Sequence, residues 1–152
     1  MDALSQFHLR QLGLNDMDRA ALVHRASFDE RLPWLAGLHT PAEDRSFYRE
    51  HVFVECTVWG AFANDTLVGI IAFRADWIDQ LYVLPHAQRS GAGTALLEIA
   101  KAQAAASLSL WTFQRNDPAR RFYERYGFVA IKETDGAENE EREPDVLYRW
   151  VA

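Results

Sequence analysis

A single cysteine, Cys56, among 152 residues excludes an internal disulfide. No apolar run approaches the roughly 20 residues needed to cross a bilayer, so no membrane partner is expected. Positive charge is also scarce, with 16 Lys and Arg against 22 Asp and Glu and a net charge of -6. That balance argues against nucleic acid, whose binding needs clustered cations to displace counterions. The opening "MDALSQFHLRQLG" has neither a basic region nor an apolar run of the kind a signal peptide carries, and the expected compartment is the cytoplasm. No repeat or linker interrupts the chain, so residues 1–152 are read as one domain. What the chain does have is a globular composition, 49% hydrophobic and 25% charged, enough for a real core. Its nine Phe, five Tyr and five Trp suit a packed interior or a pocket lined by rings.

The hydrophobic pattern alternates between strand and helix periods. "FHLRQL" (Phe7 to Leu12) predicts a first strand, and the apolar spacing from Met17 to Phe28 predicts a helix started by Asn15 or Asp16. Thr40, Pro41 and Glu43 form a helix-start signature, with that helix reaching about Phe53. Thr57 to Phe62 and Thr66 to Phe73 predict a hairpin turning at Asn64 and Asp65, and "WIDQLYV" a further strand. An Ala- and Leu-rich helix is expected from Gly91 to about Ser107, followed by the strand "LSLWTF". "NDPARRFYERYGF" reads as a helix capped by Asp117, with Pro118 in its first turn and Gly127 at its end. "FVAIKET" and "DVLYRW" are two last strands joined by an acidic loop. The expected fold is therefore α/β (α+β): a single mixed, mostly antiparallel sheet of six or seven strands flanked by about four helices.

"LYVLPHAQRSGAGTALL" runs from a strand through a small glycine cluster into a helix. The first turn of a helix leaves N–H groups unpaired, and glycines let a ligand approach them, so the turn suits a phosphate or pyrophosphate. Spacing alone leaves tight packing as an equal alternative. A P-loop is excluded because Thr94 and Ala95, not Lys and Ser or Thr, follow Gly93. A dinucleotide fingerprint fails because Leu96 stands where its third glycine belongs.

"LYVLPHAQRSGAG", followed some twenty residues later by "NDPARRFYERYGF", resembles the GNAT superfamily of acyl-CoA N-acyltransferases. Gln88, Gly91 and Gly93 fill that family's cofactor motif. Asn116, Ala119, Phe122, Tyr123, Gly127 and Phe128 fill its second motif, in the right order. The resemblance is good from about Thr57 to Phe128 and rests on element order elsewhere. It implies a GNAT-like fold, acetyl-CoA (coenzyme A) as cosubstrate, and transfer of an acetyl group to an amine by direct attack, with no metal and no covalent enzyme intermediate. A small-molecule amine is the expected acceptor; a protein or peptide N-acetyltransferase and a non-catalytic CoA-binding regulatory module are the alternatives. A homodimer through the last strands is expected by analogy.

By the same resemblance, the backbone of Leu81, Tyr82 and Val83 binds the pantetheine arm and thioester carbonyl. The amides of Arg89, Ser90, Gly91, Ala92, Gly93 and Thr94 hold the pyrophosphate; the Arg89 side chain either adds a charge there or is simply solvated. Asn116 binds pantetheine or amine, with a plain helix cap as its alternative. Tyr123 is the implied general acid, since a phenol near pKa 10 can protonate a thiolate at neutral pH. Both Tyr123 and its neighbour Tyr126, three residues on, can also be read as packing aromatics.

The proton acceptor is less legible. Family members acting on protein N-termini often carry a Glu five residues before the motif Asn; here that residue is Trp111. Asp79 is the next candidate by strand alternation with Leu81 and Val83, unless a bulge alters the parity, and a plain surface carboxylate is its alternative. Asp76, Glu30 and His39 are weaker options. On the acceptor side, "RLPWLAGLHT" offers Trp34, Leu35 and Leu38 as pocket or as core. The seven acids between Glu133 and Asp145 form either a solvated loop or a rim that attracts a cationic amine.

Overall fold

The computed structural model describes residues 7–152. Strand β1 (His8–Gln11) leads through a short helical turn into α1 (Met17–Arg31). Thr40 then starts α2 (Pro41–Phe47): its hydroxyl accepts from the Glu43 amide at 3.1 Å, and the Glu43 carboxylate accepts from the Thr40 amide at 2.8 Å. The rod continues through a π-helical turn, Tyr48–Val52, into α3 (Phe53–Glu55). Strands β2 (Thr57–Ala63), β3 (Thr66–Phe73) and β4 (Ile78–Val83) follow, then α4 (Ala92–Gln103), β5 (Ser107–Phe113), α5 (Asp117–Arg125), β6 (Val129–Thr134) and β7 (Asp145–Val151). No helix among the described residues is long and apolar enough to cross a membrane.

The mixed α+β class holds, with helices on both faces of antiparallel strands, but the expected single sheet divides in two. One sheet has the order β1-β2-β3-β4 and the other β5-β7-β6, each antiparallel throughout. They meet at one isolated parallel bridge, Trp77 to Ser109, with the Ser109 amide donating to the Asp76 carbonyl at 2.9 Å. Beyond that bridge β4 and β5 form no ladder.

The near-continuous apolar run of β3 follows from burial on both faces. Ile70 and Ala72 join a core with Met17, Ala20 and Tyr48, whereas Ile71 and Phe73 join one with Leu96, Leu97 and Ala100. Gly69 permits the close approach of α4: a Cβ there would stand 3.2 Å from a Leu96 methyl. Over the second sheet, the ring of Tyr123 packs against Phe128 and Tyr148 with centroids 5.5 and 6.3 Å apart.

Two helix boundaries differ from the expected ones. Helix α4 stops at Gln103 rather than near Ser107, because Ala104 turns extended and the Ala105 amide is drawn to the Ala75 carbonyl at 3.0 Å. The cap of α5 is Asn116 rather than Asp117: the Asn116 side-chain oxygen accepts from the Ala119 amide at 3.3 Å.

Candidate active site

Strands β4 and β5 start side by side at the Trp77–Ser109 bridge and then part, leaving a cleft of about 870 Å³ between them. Helix α4 begins beyond the end of β4 and α5 beyond the end of β5, so both helix N-termini lie outside the carboxyl ends of two diverging parallel strands. Ligands of α/β folds favour such a crevice.

The open edge of β4 supplies backbone groups. Leu84 donates to the Val68 carbonyl at 2.8 Å, and Tyr82 pairs with Ile70 two residues along the same ladder. Alternation of an antiparallel ladder therefore turns the Tyr82 N–H and C=O toward β3, and those of Leu81 and Val83 toward the cleft. Of the three residues expected to present backbone to a ligand, Tyr82 does not. The Val83 carbonyl is already occupied by the Gln88 side-chain amide at 2.9 Å, and the Gln88 oxygen in turn accepts from Arg31. The Val83 N–H and both Leu81 groups carry no such partner among the described residues.

The turn into α4 leaves the first helical turn without a side-chain cap. Gly91 takes φ +97°, the left-handed region, and cannot cap the helix with a side chain, and the amides of Gly91, Ala92, Gly93 and Thr94 have no acceptor among the described residues. The contrast with α2 and α5, capped by Thr40 and Asn116, is direct. A Cβ on Gly93 would make only ordinary contacts, 3.5 Å to Phe122 and 3.7 Å to Val83, so internal packing does not require glycine there. Arg89 stands at φ +65°. Ser90 spends its hydroxyl on the Ala87 carbonyl, and the Thr94 hydroxyl lies 2.8 Å from the Tyr126 hydroxyl. Arg89, Arg121 and Arg125 all line the cleft.

Tyr123 projects from α5 into the same cleft, 7% exposed, and its hydroxyl makes no hydrogen bond among the described residues. Burial, and secondarily the nearby Tyr82, raise its pKa, so the phenol keeps its proton at neutral pH. The Tyr82 ring stacks on His24 at 4.1 Å, and burial depresses that imidazole to about 3. Asn116 lines the cleft while its oxygen caps α5, which leaves its NH₂ free to donate.

Asp79 is the extra residue of a β-bulge, since Ala72 pairs with Gln80 and Phe73 with Ile78. Both carboxylate oxygens are taken by Arg74 at 2.8 Å, and Cys56 donates its thiol at 3.2 Å. Burial and Asp79 push the Cys56 thiol up to about 12, so it stays protonated and is no nucleophile at neutral pH. Trp34, Leu35 and Leu38 lie outside the lining of the cleft. Trp34 and Leu38 are each 47% exposed, and the Trp34 indole donates to Glu143 at 2.8 Å.

Phe28, Phe113 and Arg31 also line the cleft, though no sequence signal singles them out; the two rings meet edge to face at 6.2 Å. Arg121 and Arg125, by contrast, are accessible from their spacing of four on one helix.

Residues 23–128 match the family model described as Acetyltransferase (GNAT) family. An uncharacterized N-acetyltransferase of Escherichia coli K12, YafP, is 34% identical over 91 residues, which span 59% of this chain and 57% of that relative's length. Among solved structures, apo YjaB of Escherichia coli aligns with a TM-score of 0.77 at 20% identity, covering 96% of this chain and 98% of the other. The PaiA N-acetyltransferase of Thermoplasma acidophilum in complex with coenzyme A aligns with a TM-score of 0.71 at 22% identity, covering 96% and 99%.

Proposed function

The chain belongs to the GNAT acetyltransferase family, and from that premise we propose that it transfers an acetyl group from acetyl-CoA to the primary amine of a small molecule, with Tyr123 as general acid. The observation that carries this reading is the meeting, in one cleft, of a helix N-terminus without a side-chain cap, two open backbone positions on β4 and a protonated phenol without a partner among the described residues. Bound acetyl-CoA supplies the acetyl group as a thioester. The free amides from Gly91 to Thr94, with Arg89, hold its pyrophosphate. The N–H of Leu81 or Val83 donates to the thioester carbonyl and stabilises the charge that develops there. Asn116 orients the arm with its free NH₂.

Tyr123 holds a proton at Oη for the departing sulfur. The proton lost by the amine passes to solvent, from which Tyr123 is recharged, and the sum is one amide and one thiol. Solvent is assigned this part rather than Asp79, whose oxygens would first have to leave Arg74. Direct transfer, without an acyl-enzyme, is supported by the single thiol, Cys56, being held protonated. A compact acceptor is favoured because the connector between α1 and α2 is tied to the β6–β7 loop by Trp34–Glu143 at 2.8 Å and His39–Glu140 at 2.9 Å.

Two readouts test this function together. Acetyl-CoA is expected to raise the melting temperature, as a ligand of the native state must. A primary amine from a mixed panel is then expected to gain one acetyl group by mass while free thiol appears. Absence of the shift at saturating acetyl-CoA would sink the cosubstrate; a shift without any acetylated amine would sink the transfer.

A further inference from the structure

The cleft is basic although the chain is acidic. Its lining holds four arginines, Arg31, Arg89, Arg121 and Arg125, against one acid, Asp79, whose oxygens already accept from Arg74. The chain as a whole carries a net charge of -6. Arg31 is engaged with Gln88 and Glu30. Arg89, Arg121 and Arg125 make no ion pair and no side-chain hydrogen bond among the described residues, whereas Arg120 pairs with Glu133 at 3.5 Å and donates to the Tyr148 hydroxyl at 3.0 Å. Of two adjacent arginines, Arg120 therefore serves the fold and Arg121 faces the cleft without a counter-charge.

Helix geometry sets where the two α5 arginines stand. The helical period spreads the cleft-facing side chains of α5 over one arc, with Tyr123 at one edge, Phe122 and Tyr126 in the middle, and Arg121 and Arg125 at the other edge. Burial follows the same order: Tyr123 is buried, Phe122 and Tyr126 are half-buried and both arginines are exposed. The middle of the arc packs on the turn into α4, since the Tyr126 hydroxyl lies 2.8 Å from that of Thr94 and a Cβ on Gly93 would stand 3.5 Å from the Phe122 ring. That turn therefore lies between the phenol, deep in the cleft, and the two arginines at its lip. The Arg125 guanidinium stays beside it, 5.7 Å from the centre of the Tyr126 ring. An acetyl-CoA with its thioester at Tyr123 and its pyrophosphate at the turn has one charged group left, the phosphate monoester on its ribose, which carries about -1.5 to -2 charges at neutral pH. Two guanidinium groups one helical turn apart, with no carboxylate to hold, suit such a phosphate.

We propose that Arg121 and Arg125 form a phosphate-monoester site at the lip of the cleft, which takes the 3′-phosphate of CoA and makes the protein discriminate CoA from its 3′-dephospho form. This rests on the placement of thioester and pyrophosphate given above. No bond is made or broken at the site; it adds affinity and selects the cosubstrate.

The test compares CoA with 3′-dephospho-CoA, which differ in that phosphate alone, by calorimetry. The wild type is expected to bind CoA more tightly by about tenfold or more. The double variant Arg121→Gln/Arg125→Gln brings the ratio near unity by weakening CoA, while dephospho-CoA binds as it does to the wild type. Neither arginine has a partner among the described residues, so this variant is expected to melt as the wild type does. Arg45→Gln, which removes a positive charge from an exposed position outside the cleft, leaves the ratio unchanged. A wild-type ratio near unity overturns the site. So does a double variant that weakens both ligands alike, which would give the arginines to the pyrophosphate, or an equal loss in Arg45→Gln, which would reduce the effect to net charge. Discrimination that the double variant loses supports the site even if no amine is acetylated, in which case the transfer reading alone falls; binding of neither ligand overturns the site together with the placement of the pyrophosphate.

Discussion

The imidazole of His24 lies flat on the phenol of Tyr82, 4.1 Å between centroids and 22° between planes, while its Nδ1 stands 2.6 Å from the Tyr48 hydroxyl. This pair joins α1 to β4 immediately behind the cleft. It also makes stability depend on pH, because burial lowers the His24 pKa from 6.5 to about 3. The unfolded chain binds a proton at this site more readily than the folded one. Stability is therefore fully present above pH 6.5 and is lost as pH falls toward 3. Between pH 6.5 and 5 the loss from this group is about 2 kcal/mol. Melting curves of wild type and His24→Phe across that range check it. The variant is less stable at neutral pH, since it strips the buried Tyr48 hydroxyl of its partner, but its stability falls less on acidification.

Gly93→Ala separates ligand binding from folding. The added methyl meets ordinary van der Waals distances, and Ala is the better helix former by about 0.5–1 kcal/mol, so the fold is expected to be as stable or more so. Binding of CoA, by calorimetry, is expected to weaken about tenfold or more as the methyl fills the approach to the amides. Unchanged affinity would remove the pyrophosphate from this turn.

Asn116 caps a helix and, in the proposed reaction, also binds a ligand. Asn116→Ala loses the cap, at a cost of about 1 kcal/mol, together with activity. Asn116→Asp caps equally well but has no NH₂ to donate, so denaturant unfolding stays near wild type while kcat/KM falls. If Asn116→Asp turns over like wild type, the residue is a cap alone.

Much of the part of the cleft built from helix starts is legible in the sequence because it is written in local rules. Gly91 at a left-handed cap, Pro118 in a first turn and the Thr40–Glu43 box each declare a helix start within a few residues. The Asn116 and Asp117 reversal shows the limit of those rules: two adjacent residues are equally good caps, and only the path of the chain out of β5 selects one. The division of the sheet is invisible there, since the apolar pattern of β4 and β5 is the same whether or not they pair. The parity of Asp79 is misleading because a bulge leaves no mark in alternation, and its partner Arg74 lies across the turn that precedes β4. Phe28 meets Phe113 and Trp34 meets Glu143 across more than eighty residues of chain, beyond the reach of any periodicity.

The central claim is tested most directly by thiol release from acetyl-CoA in wild type and Tyr123→Phe, side by side, with a saturating primary amine. Tyr123 donates no internal hydrogen bond among the described residues, so the variant is expected to fold and bind CoA as the wild type does. Wild type should release one thiol per acetylated amine, and Tyr123→Phe should be slower by about a hundredfold or more. Equal rates in the two proteins, or no amine-dependent release by the wild type, would contradict the assignment of Tyr123 as the acid of an acetyl transfer.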